Sequence, residues 1–345
     1  MRYKLLGWTG LKVSELCLGT MTFGNDWGIG ADKAESRKVF DAFAEAGGNF
    51  IDTANRYTNG TSETYLGEFL AADRERFVVA TKYTLHGRPG DPNAGGNHRK
   101  SLVHALEGSL KRLKLDCIDL LWVHAWDETT PPEELMRALD DQVRAGKVLY
   151  VGISDAPAWV VSRANTLAEL RSWTPFAGLQ IEYSLVQRTP ERDLLPMAAA
   201  LGLTVTPWGP LGGGILSGKY AKGRPAGTRF AQGPWGDAYV TARNLAIAAA
   251  VGEVAKALGR SSSQVALAWL RQRSGNAIVP ILGARTLAQL EDNLGCLEFE
   301  LPPEHLSRLD SVSAIDLGFP HDFLRWDVIR AMVHGDTREK VEPRR

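Results

Sequence analysis

The chain has 345 residues, 44% of them hydrophobic, with 40 basic and 40 acidic side chains. A formal net charge of zero and the lack of any Lys/Arg cluster argue against a polyanion-binding surface, and so against nucleic-acid partners. Three scattered cysteines, Cys17, Cys117 and Cys296, have no metal-ligand spacing and read as reduced thiols. Cys17 and Cys117 fall inside strand-like runs, as buried core thiols would. Met1–Leu16 carries no apolar stretch behind a basic one, and no run approaches the roughly 18 apolar residues of a membrane span. A cytoplasmic protein is expected, and an α/β barrel of this length predicts one domain over residues 1–345.

The chain opens with a predicted hairpin over residues 1–16, in which Tyr3–Trp8 and Leu11–Leu16 flank Thr9-Gly10. Such a hairpin tends to plug an opening. Eight short apolar strand candidates follow: Glu15–Leu18, Asn49–Ile51, Phe77–Thr81, Ile118–His124, Leu149–Ile153, Gly178–Glu182, Thr204–Pro207 and Ala277–Ile281. Between them, apolar residues at three- and four-residue spacing predict helices over Ala34–Ala46, Lys100–Leu113, Pro132–Ala145, Pro190–Leu201, Leu245–Leu258 and Leu287–Leu294. The alternation predicts a (β/α)8 TIM barrel. An open doubly wound sheet fits less well, because candidate functional residues spread over all strands and no GxGxxG follows the first. Two longer irregular stretches, Arg88–Asn97 and Gly209–Asp237, have lengths that mark functional or disordered loops. A C-terminal extension, residues 310–345, carries Phe319, Phe323, Leu324 and Trp326, whose apolar side chains are expected to pack back somewhere, over a loop for example.

Asp52, Lys82 and His124 each stand at the end of, or just past, one of these strands, and Tyr57 follows Asp52 by one loop. Taken singly, each has a plain structural reading: a helix cap, a solvated lysine, a core histidine. Together at one end of consecutive parallel strands they read as a catalytic set. Tyrosine is a poor acid with a pKa near 10, and a neighbouring ammonium makes its proton easier to give. Lys82 can supply that ammonium, Asp52 can hold it, and His124 can orient a carbonyl oxygen. The set suits carbonyl reduction; acyl transfer fits worse, since no Ser or Cys nucleophile stands beside a base.

Gly48–Tyr57 (GNFIDTANRY) with Ser62-Glu63, Leu106–Leu121 (LEGSLKRLKLDCIDLL), Gly146–Ser154 (GKVLYVGIS), Gln180–Ser184 (QIEYS) and Pro207–Tyr220 (PWGPLGGGILSGKY) resemble the aldo-keto reductases. The similarity runs from the hairpin to about Leu309 and points to the branch of bacterial aryl-alcohol dehydrogenases and potassium-channel β-subunits. It implies a (β/α)8 barrel, NADP(H) as cofactor, and reduction of aldehydes and ketones. It also implies Tyr57 as proton donor, a Lys82–Asp52 pair, and His124 orienting a small-molecule carbonyl substrate.

The resemblance further implies a cofactor site. Thr20, Met21 and Asp52 would lie on the nicotinamide side, Ser154, Asp155 and Gln180 would hold the carboxamide, and Trp208 would lie against the ring. Gly209, Pro210, Leu211, Gly212 and Gly213 would let backbone approach the pyrophosphate, with Lys219 and Arg229 supplying charge. Gly283, Arg285, Gln289, Asp292 and Asn293 look like the adenosine end. A Gly turn opening a helix after the last strand favours an anion on physical grounds alone, and Arg285 can pair a 2′-phosphate bidentately.

Two positions depart from the family pattern: Asp155 stands where Asn is common, and Gly209 where Ser is often found. Trp27, Tyr57, His124 and Trp126 are candidate substrate walls beneath the Arg88–Asn97 loop, with Trp126 equally readable as a loop anchor. Aromatic walls would suit aryl or medium-chain aldehydes. Two further readings stay open. One is an NADP(H)-binding regulatory module of the channel β-subunit type, which carries Asn where His124 stands here. The other is a pathway-specific keto-sugar or natural-product reductase. Oligomeric state is not legible.

Overall fold

The computed structural model describes residues 1–228, 230–231, 233–275 and 277–341. The ten strands are β1 (Tyr3–Leu5), β2 (Lys12–Ser14), β3 (Cys17–Gly19), β4 (Phe50–Asp52), β5 (Val78–Tyr83), β6 (Ile118–Val123), β7 (Val148–Ser154), β8 (Phe176–Glu182), β9 (Thr204–Trp208) and β10 (Ile281–Gly283). β1 and β2 form the antiparallel hairpin, and the other eight form one parallel sheet in the order β10-β3-β4-β5-β6-β7-β8-β9. The sheet closes through Val205, which donates to Ala277 O and accepts from Val279 N, both at 2.8 Å. With helices between successive strands, this is a (β/α)8 barrel.

The last barrel strand is shorter and later than the apolar run Ala277–Ile281 predicts. Pro280 divides that run. The residues before it pair with β9, while Pro280 O accepts from Cys17 N at 2.9 Å and Ile281–Gly283 pair with β3. Each half serves one neighbour, because proline has no N–H to continue a ladder.

Helices cover the outer face of the sheet. Lys33–Glu45 is capped by Asp32, whose side chain accepts from Glu35 N, and it buries Val39, Phe40 and Phe43. Arg99–Leu113 buries Leu102, Leu106, Leu110 and Leu113 along one stripe. Helices outside the predicted set include Thr61–Phe69, Ala158–Arg171 and Ser262–Arg271. The last is buried without a break from Val265 through Leu270, an apolar run that reads as a buried strand as readily as a helix.

A second, smaller core fills the barrel interior: Cys17, Phe50, Val78, Ala80, Leu120, Trp122, Ala177, Val279 and Ile281, with Leu6 and Val13 reaching in from the hairpin. Trp122 fits there because Gly152 and Gly178 face it; a Cβ on Gly152 would lie 2.3 Å from the indole. The hairpin is pinned at the N-terminal ends of the strands. Gly7 N donates to Thr204 Oγ1 at 2.7 Å, and Lys4 Nζ donates to Ile278 O at 2.6 Å. It closes that end of the barrel, as the plug expectation holds.

Two expectations fail here. Cys17 is buried, but Cys117 precedes β6 and is only half-buried, because the turn before the strand leaves it near the surface. The C-terminal extension is fastened as far as His321: Arg188 Nη1 donates to Asp310 O, Arg243 Nη2 to Ser313 O and Arg192 Nη2 to Asp316 O, and His321 Nε2 meets Asp193 Oδ1 at 3.3 Å. Its apolar residues do not pack back: Phe319 is 84% exposed and Met332 75% exposed, and Phe323 packs against Phe319 and Trp326 of the same segment. Among the described residues no helix is long and apolar enough to cross a membrane.

Candidate active site

The predicted set converges at the C-terminal end of the barrel. Asp52 ends β4, Lys82 is the penultimate residue of β5, and His124 follows β6. Tyr57 is brought over them by a tight loop, with Asn55 N donating to Lys82 O at 3.2 Å and Tyr57 N to Ala54 O at 3.1 Å. The next two residues, Thr58 and Asn59, take left-handed backbone with φ of 45° and 55°, a costly conformation for non-glycine residues. Thr58 Oγ1, donating to Phe23 O at 2.6 Å, holds that turn in place.

Lys82 is fully buried and its ammonium is saturated with partners. Nζ pairs with Asp52 Oδ2, donates to Thr53 O at 2.8 Å, and donates to Tyr57 Oη at 3.0 Å. Burial opposes the charge on Lys82, but Asp52 and Tyr57 outweigh it and hold the ammonium above its ordinary pKa. Burial lifts the Tyr57 phenol above its ordinary value, while the Lys82 charge pulls it back. Since Tyr57 Oη accepts from Lys82, its own O–H is left to donate elsewhere. His124 stands edge-on to Tyr57, ring centroids 5.9 Å apart. Burial, then the Lys82 charge, brings its pKa down to about 3, so it is a neutral imidazole at pH 7. Its buried Nδ1 has no hydrogen-bond partner among the described residues.

A cavity of about 510 Å³ runs from Tyr57 and His124 across the mouth of the barrel. Its walls include Asp52, Ser154, Asp155, Gln180 and Trp208, then Gly209, Pro210, Leu211, Gly213 and Lys219, then Gly283, Arg285, Gln289, Asp292 and Asn293. Met21 also lines it, whereas Thr20 and Gly212 do not. Thr20 is fully buried behind the wall, its Oγ1 donating to Asp52 O at 3.0 Å and meeting Ser62 Oγ at 2.8 Å. Arg229 lies outside the described residues.

The arrangement suits a long, phosphate-bearing ligand. Ser154 Oγ is buried at the cavity beside the Asp155 carboxylate, a polar group that could also serve a ligand amide. Gly213 has φ +63°, and a Cβ there would meet the Phe230 ring at 2.2 Å, so the loop can follow this path only with glycine. Trp208 Nε1 donates to Asp155 Oδ1 at 3.0 Å. The Arg285 backbone N–H donates to Gln289 Oε1 at 2.9 Å, and its guanidinium reaches Gly227 O at 3.4 Å across the cavity rim. The Gly209–Asp237 segment is less irregular than its composition suggests, with a 3-10 stretch over Gly212–Ser217 and a short helix over Pro234–Tyr239.

The four substrate-wall candidates divide. Tyr57 and His124 line the cavity, and Trp27 packs edge-on to Tyr57 with centroids 6.5 Å apart. Trp126 is not among the lining residues; it packs partly into the core between sheet and helices. Ile29, Thr22, Gly214, Ser217, Ser263 and Leu267 also line the cavity and were not singled out from the sequence. For Ser263 the available signal was the capping box of Ser261 and Gln264, which marks a helix start at the anion end of the site.

The aldo/keto reductase family profile matches residues 15–314. The norsolorinic acid reductase stcV of Emericella nidulans is 41% identical over 325 residues, covering 91% of this chain and 82% of its own length. The aryl-alcohol dehydrogenase GME11368 of Pestalotiopsis microspora is 38% identical over 333 residues, covering 94% and 85%. The aldo-keto reductase ausK of Aspergillus calidoustus is 40% identical over 343 residues, covering 94% and 85%. With the barrel, the converging side chains and these relatives in hand, the chain belongs to the aldo/keto reductase family and is an oxidoreductase acting on carbonyl groups.

Proposed function

We propose that the protein reduces aryl aldehydes and ketones to alcohols with NADPH, using Tyr57 as the proton donor. The observation that carries this reading is the Lys82 ammonium, paired with Asp52 and donating at 3.0 Å to Tyr57 Oη, which lines a cavity of about 510 Å³. A nicotinamide bound there would supply the hydride.

The chain's own residues would do the rest. The carbonyl oxygen sits where Tyr57 O–H points and beside neutral His124, so one group donates a proton and the other a hydrogen bond as charge builds on oxygen. Lys82 stabilises the phenolate that remains, and Asp52 keeps Lys82 charged and placed. Ser154 and Gln180 would hold the carboxamide and Trp208 one ring face, leaving the other toward Tyr57. Asp155 can accept from the carboxamide NH2 but cannot donate to its C=O while ionised. Gly213 and Lys219 would take the pyrophosphate. The preference for NADPH rests on Arg285, which lines the cavity, makes no ion pair among the described residues and would pair a 2′-phosphate.

Aryl substrates are favoured by the edge-on cluster of Trp27, Tyr57 and His124 at the chemical end of the cavity. The names of two relatives, an aryl-alcohol dehydrogenase and a norsolorinic acid reductase, agree with an aromatic or natural-product carbonyl. A screen of NADPH depletion over aryl aldehydes, aryl ketones, aliphatic aldehydes and keto-sugars tests it. Turnover concentrated in the aryl members is the expected result; a preference for keto-sugars would sink the substrate assignment.

A further inference from the structure

The Asp52 carboxylate is held at both oxygens. Oδ2 pairs with Lys82, while Oδ1 accepts from Gln180 Nε2 at 3.1 Å. Gln180 reaches it from β8, a strand that is not a neighbour of β4 in the barrel. Asp52 and Gln180 are each 2% exposed, so little water competes for this bond. The amide can face only one way: a carboxylate oxygen paired to a cation accepts, so the atom opposite it is the NH2.

We propose that Gln180 is a positioning residue for proton donation, fixing Asp52 from across the barrel and through it the Lys82–Tyr57 pair. The proposal rests on the roles given above to Tyr57, Lys82 and Asp52. An aspartate held by one ammonium keeps a broad freedom about its last torsion. A second bond from a different strand selects one orientation, so Lys82 Nζ is aimed at Tyr57 Oη rather than merely kept nearby. The same bond tempers the charge on Asp52. That charge raises the Tyr57 pKa, against the lowering by Lys82, so a less shielded Asp52 makes Tyr57 a poorer acid. Gln180 also lines the cavity, and its Oε1 can accept from a ligand amide while its NH2 serves Asp52. One side chain would then link ligand binding to the alignment of the donor.

Two variants separate this from a plain ligand contact. Gln180→Met fills the space and offers no N–H. Gln180→Glu keeps an acceptor toward the cavity and sets a like charge against Asp52. Both are assayed with NADPH bound, by kcat against pH and by equilibrium NADPH affinity. The proposal expects kcat to fall about tenfold in Gln180→Met, as for residues that orient catalytic ligands. The alkaline limb should move to higher pH, since a donor with a raised pKa stays protonated further. Gln180→Glu should lose more kcat than Gln180→Met while binding NADPH more tightly. A weakened NADPH affinity with an unmoved limb in both variants would reduce Gln180 to a ligand contact and overturn the proposal.

A thermal-unfolding cycle over Gln180→Met, Asp52→Ala and the double variant reads the contact without turnover. Coupled effects are expected, and additive ones would also overturn it. Wild-type protein that reduces no carbonyl would instead remove the proposed function, leaving the cycle to report on the bond itself.

Discussion

Trp208 Nε1 donates to Asp155 Oδ1 at 3.0 Å, which ties the end of β9 to the residue following β7 across the cavity wall. Asp155 holds its side chain there by taking left-handed backbone, φ 45°. The indole is thereby set at a fixed angle before any ligand arrives. Asp155→Ala should free it and weaken NADPH binding about tenfold, the worth of one hydrogen bond to a charged group. Asp155→Asn keeps an acceptor and should stay within about twofold of wild type. Titrating indole fluorescence with NADPH measures both; equal affinities for wild type and the Ala variant would mean the tie does not orient the ring.

Tyr57→Phe removes one hydroxyl at the end of the Lys82 chain. Reduction should fall by about 10²–10⁴-fold, the usual worth of a positioned proton donor, with NADPH affinity nearly unchanged. Lys82→Met should also nearly abolish turnover, and it should lower the melting temperature as well. It leaves the buried Asp52 carboxylate without its cation, a loss of about 3–5 kcal/mol for a broken buried pair. Steady-state kinetics beside thermal unfolding distinguishes the two variants; a stable Lys82→Met protein would show that the pair is not structurally important.

His124 gives the pH behaviour a definite sign. Folding brings its pKa from 6.5 down to about 3, chiefly by burial and then by the Lys82 charge. Below pH 6.5 the unfolded chain therefore takes up a proton that the folded chain refuses, and stability drains away as pH falls toward 3. His124→Asn should flatten this part of the melting-temperature profile. The reduction rate of the wild type should show no acid limb near pH 6.5 from this residue. It should decline only on the alkaline side, as Tyr57, held above its ordinary pKa by burial, loses its proton. An imidazole seen by NMR to titrate near its ordinary value would contradict both expectations.

Arg285→Ala should raise the KM for NADPH by about tenfold or more and leave that for NADH almost unchanged, because only NADPH carries the 2′-phosphate. The ratio of kcat/KM for the two dinucleotides is the measurement. A parallel change in both would reassign Arg285 to the cavity rim, where its guanidinium already meets Gly227 O.

What could be read from the chain alone was set by how locally each feature is encoded. Asp52, Lys82 and His124 were legible because each interrupts an apolar run at its end with a side chain that does not belong in a core. The hairpin was legible from Thr9-Gly10 between two apolar stretches. The helix Ser262–Arg271 was not, because its centre, Val265–Leu270, is one unbroken apolar run that a buried strand would show equally well. That cost Ser263 and Leu267 their place among the cavity residues. The closing strand was misplaced because Pro280 splits one apolar run between two partners, a division visible only once β3 and β9 are known to flank it. The Gln180–Asp52 bond joins residues from distant strands, and no local pattern announces it.

The hairpin at the lower end of the barrel makes the catalytic floor a blind alley. Leu6 and Val13 close the interior beneath Phe50, Ala80 and Trp122, so nothing passes through the barrel axis. Whatever enters must leave by the same mouth, and if Tyr57 is the proton donor, its proton would be restored from that side. Under the proposed function, dinucleotide and carbonyl would therefore share one opening for both entry and exit.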